Sequence, residues 1–262
     1  MRALAALVLA LLLAAPAATL AQDEPQAAER ARTQAEAEAG DADAAFMLGR
    51  MFLDGVGGPQ DKAEARAWLK RASEAGHVRA SVLLGLMLMA GDGGPVDRTA
   101  ARPLLLFAAS AGDTVALYHL GLLFAEGELR TGGGPPQNAP VAVFWFRAAA
   151  EAGDVDGMYN LALMHLKGIG TPADPAEAYR WYLKAAEGGV VEAQYTVAVL
   201  LSDGQGTAAD PKAALVWYLR AKAGGIVDDA LEVELMKRLS EAEIAEAKRL
   251  AGEAPASRPE GG

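Results

Sequence analysis

Residues 153–188 read GDVDGMYNLALMHLKGIGTPADPAEAYRWYLKAAEG, and residues 189–224 read GVVEAQYTVAVLLSDGQGTAADPKAALVWYLRAKAG. Aligned, the two segments place Gly153 over Gly189, Leu161 over Val197, Gly168 over Gly204, Asp174 over Asp210, Trp181 over Trp217 and Ala185 over Ala221. Self-similarity at a fixed period marks a repeat array, in which each unit buries its apolar side only against its neighbours. Outward from this pair, the leading glycine recurs at Gly40, Gly76, Gly112, Gly153, Gly189 and Gly225, spaced by 36, 36, 41, 36 and 36 residues. Five units therefore follow one another, and the third carries an insertion.

Each unit divides into two helical halves. The first half carries Ala44, Leu48, Gly49 and Phe52, then Ala80, Leu84, Gly85 and Leu88, then Ala116, Leu120, Gly121 and Phe124. The fourth and fifth units read Gly157, Leu161, Ala162, His165 and Ala193, Val197, Ala198, Leu201. Steps of four, one and three place these positions on one face of an α-helix. The second half repeats more strictly, with Ala65, Ala101, Ala142, Ala178 and Ala214 in one row and Ala72, Ala108, Ala149, Ala185 and Ala221 two turns later. Between them stand Trp68, Leu104, Trp145, Trp181 and Trp217, which accounts for all 4 tryptophans. Small residues beside an indole predict close helix approach with the ring filling the gap, so these tryptophans are expected in the core.

The second helices start at Asp61, Asp97, Asn138, Asp174 and Asp210, where a side-chain oxygen can accept from the free N–H groups of the first turn. Asp61 with Glu64 and Asp174 with Glu177 read as capping boxes, and Pro175 and Pro211 occupy a first helical position that needs no N–H. Between the paired helices lie Gly55-Val56-Gly57, Gly91-Asp92-Gly93, Gly168-Ile169-Gly170 and Gly204-Gln205-Gly206. Each follows a helix and none completes the dinucleotide-binding pattern, so they are turns and not phosphate loops.

The combined pattern, A-x3-L-G-x2-[FYL], then G-x-G, then D-x3-A-x2-W-x3-A and a closing G-D or G-H, resembles the Sel-one-like repeat, a relative of the tetratricopeptide repeat. The resemblance runs from Gly40 to about Gly225. It implies an all-α solenoid of stacked antiparallel helix pairs wound into a right-handed superhelix, acting as an adaptor for other proteins. Leu104 in place of Trp, and the looser fourth unit with Gly157, Ala162 and His165, depart from the pattern locally. The expected organisation is a leader at 1–21, a polar linker or N-terminal capping helix at 22–39, and repeats at 40–75, 76–111, 112–152, 153–188 and 189–224. A C-terminal helical cap at 227–251 follows, opened by Ser240-Glu241-Ala242-Glu243, and then a disordered tail at 252–262.

The leader is read from Met1-Arg2, the apolar run Ala3 to Ala15, Pro16 and the small residues of Thr19-Leu20-Ala21, which together form a secretory signal with cleavage after Ala21. An uncleaved anchor is the alternative, against which the run before Pro16 is short for a membrane span. The expected location is therefore the periplasm, with secretion as the alternative and no membrane insertion once the leader is gone. With 24 Lys and Arg against 34 Asp and Glu the formal charge is −10, which repels phosphate backbones and disfavours nucleic acid as a partner. Cysteine is absent, excluding disulfides, thiolate metal sites and a Cys nucleophile. His77, His119 and His165 fall in different repeat rows, so no metal site, cofactor or catalytic residue is assigned. The serines form no nucleophile motif.

The face opposite the packed side of the first helices should line the concave surface. One row along it reads Phe46, Val82, Tyr118, Tyr159, Tyr195 and the next Arg50, Leu86, Leu122, Leu163, Val199. Tyr118, Leu122, Tyr159, Leu163, Tyr195 and Val199 form the candidate partner-binding strip, flanked by mixed but net acidic rows. It reads either as an open groove for a segment of another exported or envelope protein or as packing between repeats. The functional expectation is a non-enzymatic interaction scaffold; the alternative is a hydrolase or glycan-binding protein acting on cell-wall polymers or β-lactams. The insertion within Glu128 to Gln137 reads as a surface loop.

Overall fold

The computed structural model describes residues 17–125 and 138–253, with side chains from residue 24 onward. The apolar start of the chain up to Pro16, the insertion at 128–137 and the tail beyond Glu253 lie outside the described residues. Among the described residues the protein is all α. Its helices are α1 (Ala17–Glu38), α2 (Ala42–Asp54), α3 (Lys62–Glu74), α4 (Val78–Ala90), α5 (Arg98–Ser110), α6 (Thr114–Ala125) and α7 (Ala139–Glu151). They continue with α8 (Val155–Lys167), α9 (Pro175–Glu187), α10 (Val191–Asp203), α11 (Pro211–Ala223), α12 (Asp229–Lys237) and α13 (Glu241–Gly252). The chain divides into two compact units, one ending at Ala116 and one beginning at Leu117.

Within each unit the alanine rows set the packing. Ala65, Ala101, Ala142, Ala178, Ala214 and their partners two turns on are all 0% exposed. A Cβ built on Gly49 would lie 2.8 Å from Leu69 and 3.3 Å from the Ala65 carbonyl, so the missing side chain is what lets α2 and α3 touch. The Asp61 N–H donates to the Phe52 carbonyl while Gly49 faces Ala65 and Leu69, which makes the pair antiparallel. The tryptophans divide: Trp68 and Trp181 are buried, whereas Trp145 and Trp217 are half-buried and are not the full core residues the pattern predicts. Cations lie over three of the four indoles, with Arg220 over Trp217 at 4.8 Å, Lys184 over Trp181 at 4.1 Å and Arg71 over Trp68 at 4.4 Å.

Among the described residues, turn glycines bring the first, second, fourth and fifth helix pairs against the start of the second helix before them or, for the first pair, against α1. Gly206 has φ +76, and a Cβ there would lie 2.0 Å from the carbonyl oxygen of Pro175 at the start of the preceding second helix. Gly57 does the same to Gln26 of α1, at 2.3 Å. The helix α1 thus occupies the place that a second helix holds in a repeat. Arg30 of α1 completes the contact by lying 3.7 Å over the Phe52 ring and donating to the carbonyls of Val56 and Pro59.

The helix starts correct the sequence reading in two places. Asp61, Asp97, Asp174 and Asp210 accept from first-turn N–H groups, but Asn138 makes no side-chain cap bond. The expected capping boxes at Asp61–Glu64 and Asp174–Glu177 are only half formed. Their reciprocal bond needs the N–H of the aspartate, and that N–H already donates to Phe52 O or His165 O at 2.9 Å, closing the turn between paired helices. Glu177 instead accepts from Trp181 Nε1 at 2.8 Å. Ser240 and Glu243 do form the full box, because the Ser240 N–H is free to reach Glu243.

Candidate functional site

The six strip residues all lie in the second unit, on α6, α8 and α10. Each first helix has a small-residue side that packs on its paired second helix, and the 3.6-residue period turns positions 118, 122, 159, 163, 195 and 199 away from that contact. Water does not reach them fully. All six are half-buried, and all but Val199 pack against the same apolar cluster as the alanine rows, so the strip is part wall and part surface. The preceding member of the row, Val82 in the first unit, is buried at 8% exposure.

The tyrosine rings are held by their own repeat and their hydroxyls look to the next. Tyr118 lies 6.0 Å from Phe146, and Tyr159 meets Tyr182 edge to face at 5.4 Å. The Tyr195 hydroxyl donates to Asp228 Oδ2 at 2.8 Å. One flanking row supplies an acid to each: Asp156 to Tyr118, Glu192 to Tyr159 and Asp228 to Tyr195. Burial and then these carboxylates push the Tyr118 and Tyr159 hydroxyls above the usual phenol range. For Tyr195 the hydrogen bond to Asp228 is the leading cause of the rise, followed by burial. A ladder of ring and carboxylate thus runs across three successive first helices. Chemically it presents half-exposed aromatic carbon beside negative charge, which suits apolar and basic side chains.

The histidines behave as structural residues. His77 caps α4: its Nδ1 accepts from the Ala80 N–H at 3.1 Å, and its ring stacks on Phe46 at 4.4 Å. Asp41, Asp113 and Asp154 cap α2, α6 and α8 from the same register, a second capping row that is interrupted at Val190, which makes no side-chain cap bond to α10. His165 is buried, with Nε2 at 3.2 Å from Arg147 Nη2, and burial together with that guanidinium lowers its pKa. His119 is half-buried beside Tyr118, and burial lowers its pKa against the pull of Asp154. Among the described residues no cluster of His, Asp and Glu could hold a metal ion, and no helix is long and apolar enough to cross a membrane.

Comparison with known proteins places this geometry. No curated protein matches the sequence. A Sel1 repeat protein from Oxalobacter formigenes is similar in structure at 27% identity, with 83% of each chain covered and a TM-score of 0.64. A protective antigen of uropathogenic Escherichia coli strains, displaying an SLR fold, is similar at 23% identity and a TM-score of 0.55. The match takes in 86% of this chain but 56% of that one, so the present chain spans little more than half the antigen's length. The Sel1 repeat profile matches residues 42–77, 78–113, 114–154, 155–190 and 191–226, each segment starting two residues after a periodic glycine. With five such repeats over most of its length, the chain belongs to the Sel1 repeat family.

Proposed function

We propose that the strip of Tyr118, Leu122, Tyr159, Leu163, Tyr195 and Val199 binds a segment of another exported protein, and that the chain is a non-enzymatic scaffold of the cell envelope. Sel1 repeat proteins generally mediate protein–protein interaction, which supports the class of function. The observation that carries the reading is the ladder itself: tyrosines in three successive repeats, each half-exposed and each beside a carboxylate one period further on, in the next repeat for Tyr118 and Tyr159 and in the C-terminal cap for Tyr195. A segment with alternating apolar and basic side chains meets both halves of that surface, and a wall whose rings are already packed loses little freedom on binding. The leader at 1–21 supplies the route to the periplasm in this reading.

The test places a photoreactive residue at position 163 of the full chain in cells and identifies the adducts by mass spectrometry. One dominant exported protein is expected, lost when Asp156→Lys and Glu192→Lys reverse the flanking charge without touching a buried ring. Adducts unaffected by the charge reversal, or no adduct at position 163, would overturn the proposal.

A further inference from the structure

In the first unit, a cleft of about 500 Å³ opens between α3 and α5, with α4 behind it. Its lining is largely apolar, from Ala67, Leu84, Leu88 and Leu104, and its charged members are Arg66, Lys70 and Glu74. Leu104 is the one position in its register that is not tryptophan. Ser73, which lines this cleft, is one period after Ala37, and Ala37 packs in the same cluster as Trp68. The cleft is therefore where this repeat would hold its own indole. The covering cation is missing too. Arg71, Lys184 and Arg220 lie over tryptophans three residues before them, whereas the residue three after Leu104 is Phe107, 43% exposed.

We infer that this cleft is a second peptide-binding site, one that takes the aromatic side chain of an acidic segment from a partner protein. The aromatic part follows from the chain's own repeat, which places tryptophan at the position of Leu104 in the other four units. The volume lies within the range of preformed ligand sites, roughly 300–1,000 Å³. The acidic part follows from the two cations of the lining, Arg66 and Lys70, against its single carboxylate, Glu74. Arg66 is held at the edge by its bond to the Pro95 carbonyl at 3.2 Å. Lys70 reaches Glu74 only at 3.8 Å, with both side chains about two-thirds exposed, so it exchanges that partner for an incoming carboxylate at little cost. The proposal does not depend on the tyrosine ladder, which lies in the other unit.

The probe is the peptide acetyl-Glu-fluorotryptophan-Glu-amide, followed by fluorine NMR against the full chain. A saturable shift is expected, weakened by about fivefold in Lys70→Glu and abolished in Leu104→Trp, which fills the cleft from within. Should Leu104→Trp fail to fold by circular dichroism, Ala67→Phe plugs the mouth from an exposed helix position and is expected to abolish the shift in its place. Asp156→Lys, on the ladder, is expected to leave the shift unchanged. No saturable shift, a shift retained when the cleft is filled, or stronger binding of free indole-3-propionate than of the peptide would overturn the assignment.

Discussion

At the scale of single residues, backbone crowding and hydrogen bonding separate positions that look alike in the sequence. Gly206 and Gly225 are both periodic and both have positive φ, but a Cβ on Gly225 meets nothing within 4 Å while one on Gly206 runs into the Pro175 carbonyl. Gly225→Ala is expected to cost about 1 kcal/mol from its left-handed conformation alone. Gly206→Ala is expected to cost about 3 kcal/mol or more, because the start of α9 must also move. Urea unfolding of both variants checks this, and equal costs would remove the close approach from the account of the fold. The Tyr195–Asp228 bond gives a second prediction. Asp228 sits below the usual carboxylate range, first through the Leu231 N–H and then through Tyr195. Its contribution is present above about pH 4 and is lost as pH falls through the lowered value, while that of Tyr195 is present below about pH 10 and is lost as pH rises through the raised one. In Tyr195→Phe the Asp228 carboxyl is expected to titrate higher, yet still below its ordinary value, in a side-chain NMR titration; an unmoved midpoint would remove the bond from the ladder.

At the scale of elements, the sequence showed where helices begin better than how they are held. The aspartates at the starts of the second helices were legible because capping chemistry is local, within three residues. The half-formed boxes were not, because the competing acceptors, Phe52 and His165, belong to the preceding helix and become neighbours only once the turn closes. The same holds for His77, whose place after a glycine reads as a loop although its ring nitrogen does the work that aspartate does elsewhere in the row. A clean contrast follows. Asp174 accepts two first-turn N–H groups and Asn138 none, so Asp174→Ala is expected to lose about 1 kcal/mol and Asn138→Ala only a few tenths. Thermal melts of the two variants would decide it, with equal losses pointing to propensity and not capping as the cause.

At the scale of the whole molecule, the five-repeat array was readable because its alanine rows and glycines recur at a strict period and each row has one physical reason. The candidate site was readable only as a face. A helical wheel finds Tyr118, Tyr159 and Tyr195, but it cannot say that each lies beside a carboxylate of the following helix pair, since that depends on how stacked pairs are offset. Likewise Leu104 reads as a harmless substitution until α3 and α5 are set side by side and a cleft remains. The distribution of one residue type adds a last consequence. All 6 tyrosines fall between Tyr118 and Tyr218, within the second unit, and every one of them has its hydroxyl pKa raised. Burial leads in five, and most strongly for Tyr182, which is 1% exposed. A phenol with a raised folded value supports the fold fully below about pH 10 and withdraws that support as pH climbs through the folded value. Tyrosinate absorbance should therefore lag behind a free phenol while helical ellipticity persists, and the two should then change together as the second unit opens. Six phenols ionising at the ordinary pH with ellipticity intact would mean that these rings are freely solvated, and the ladder would lose its packed wall.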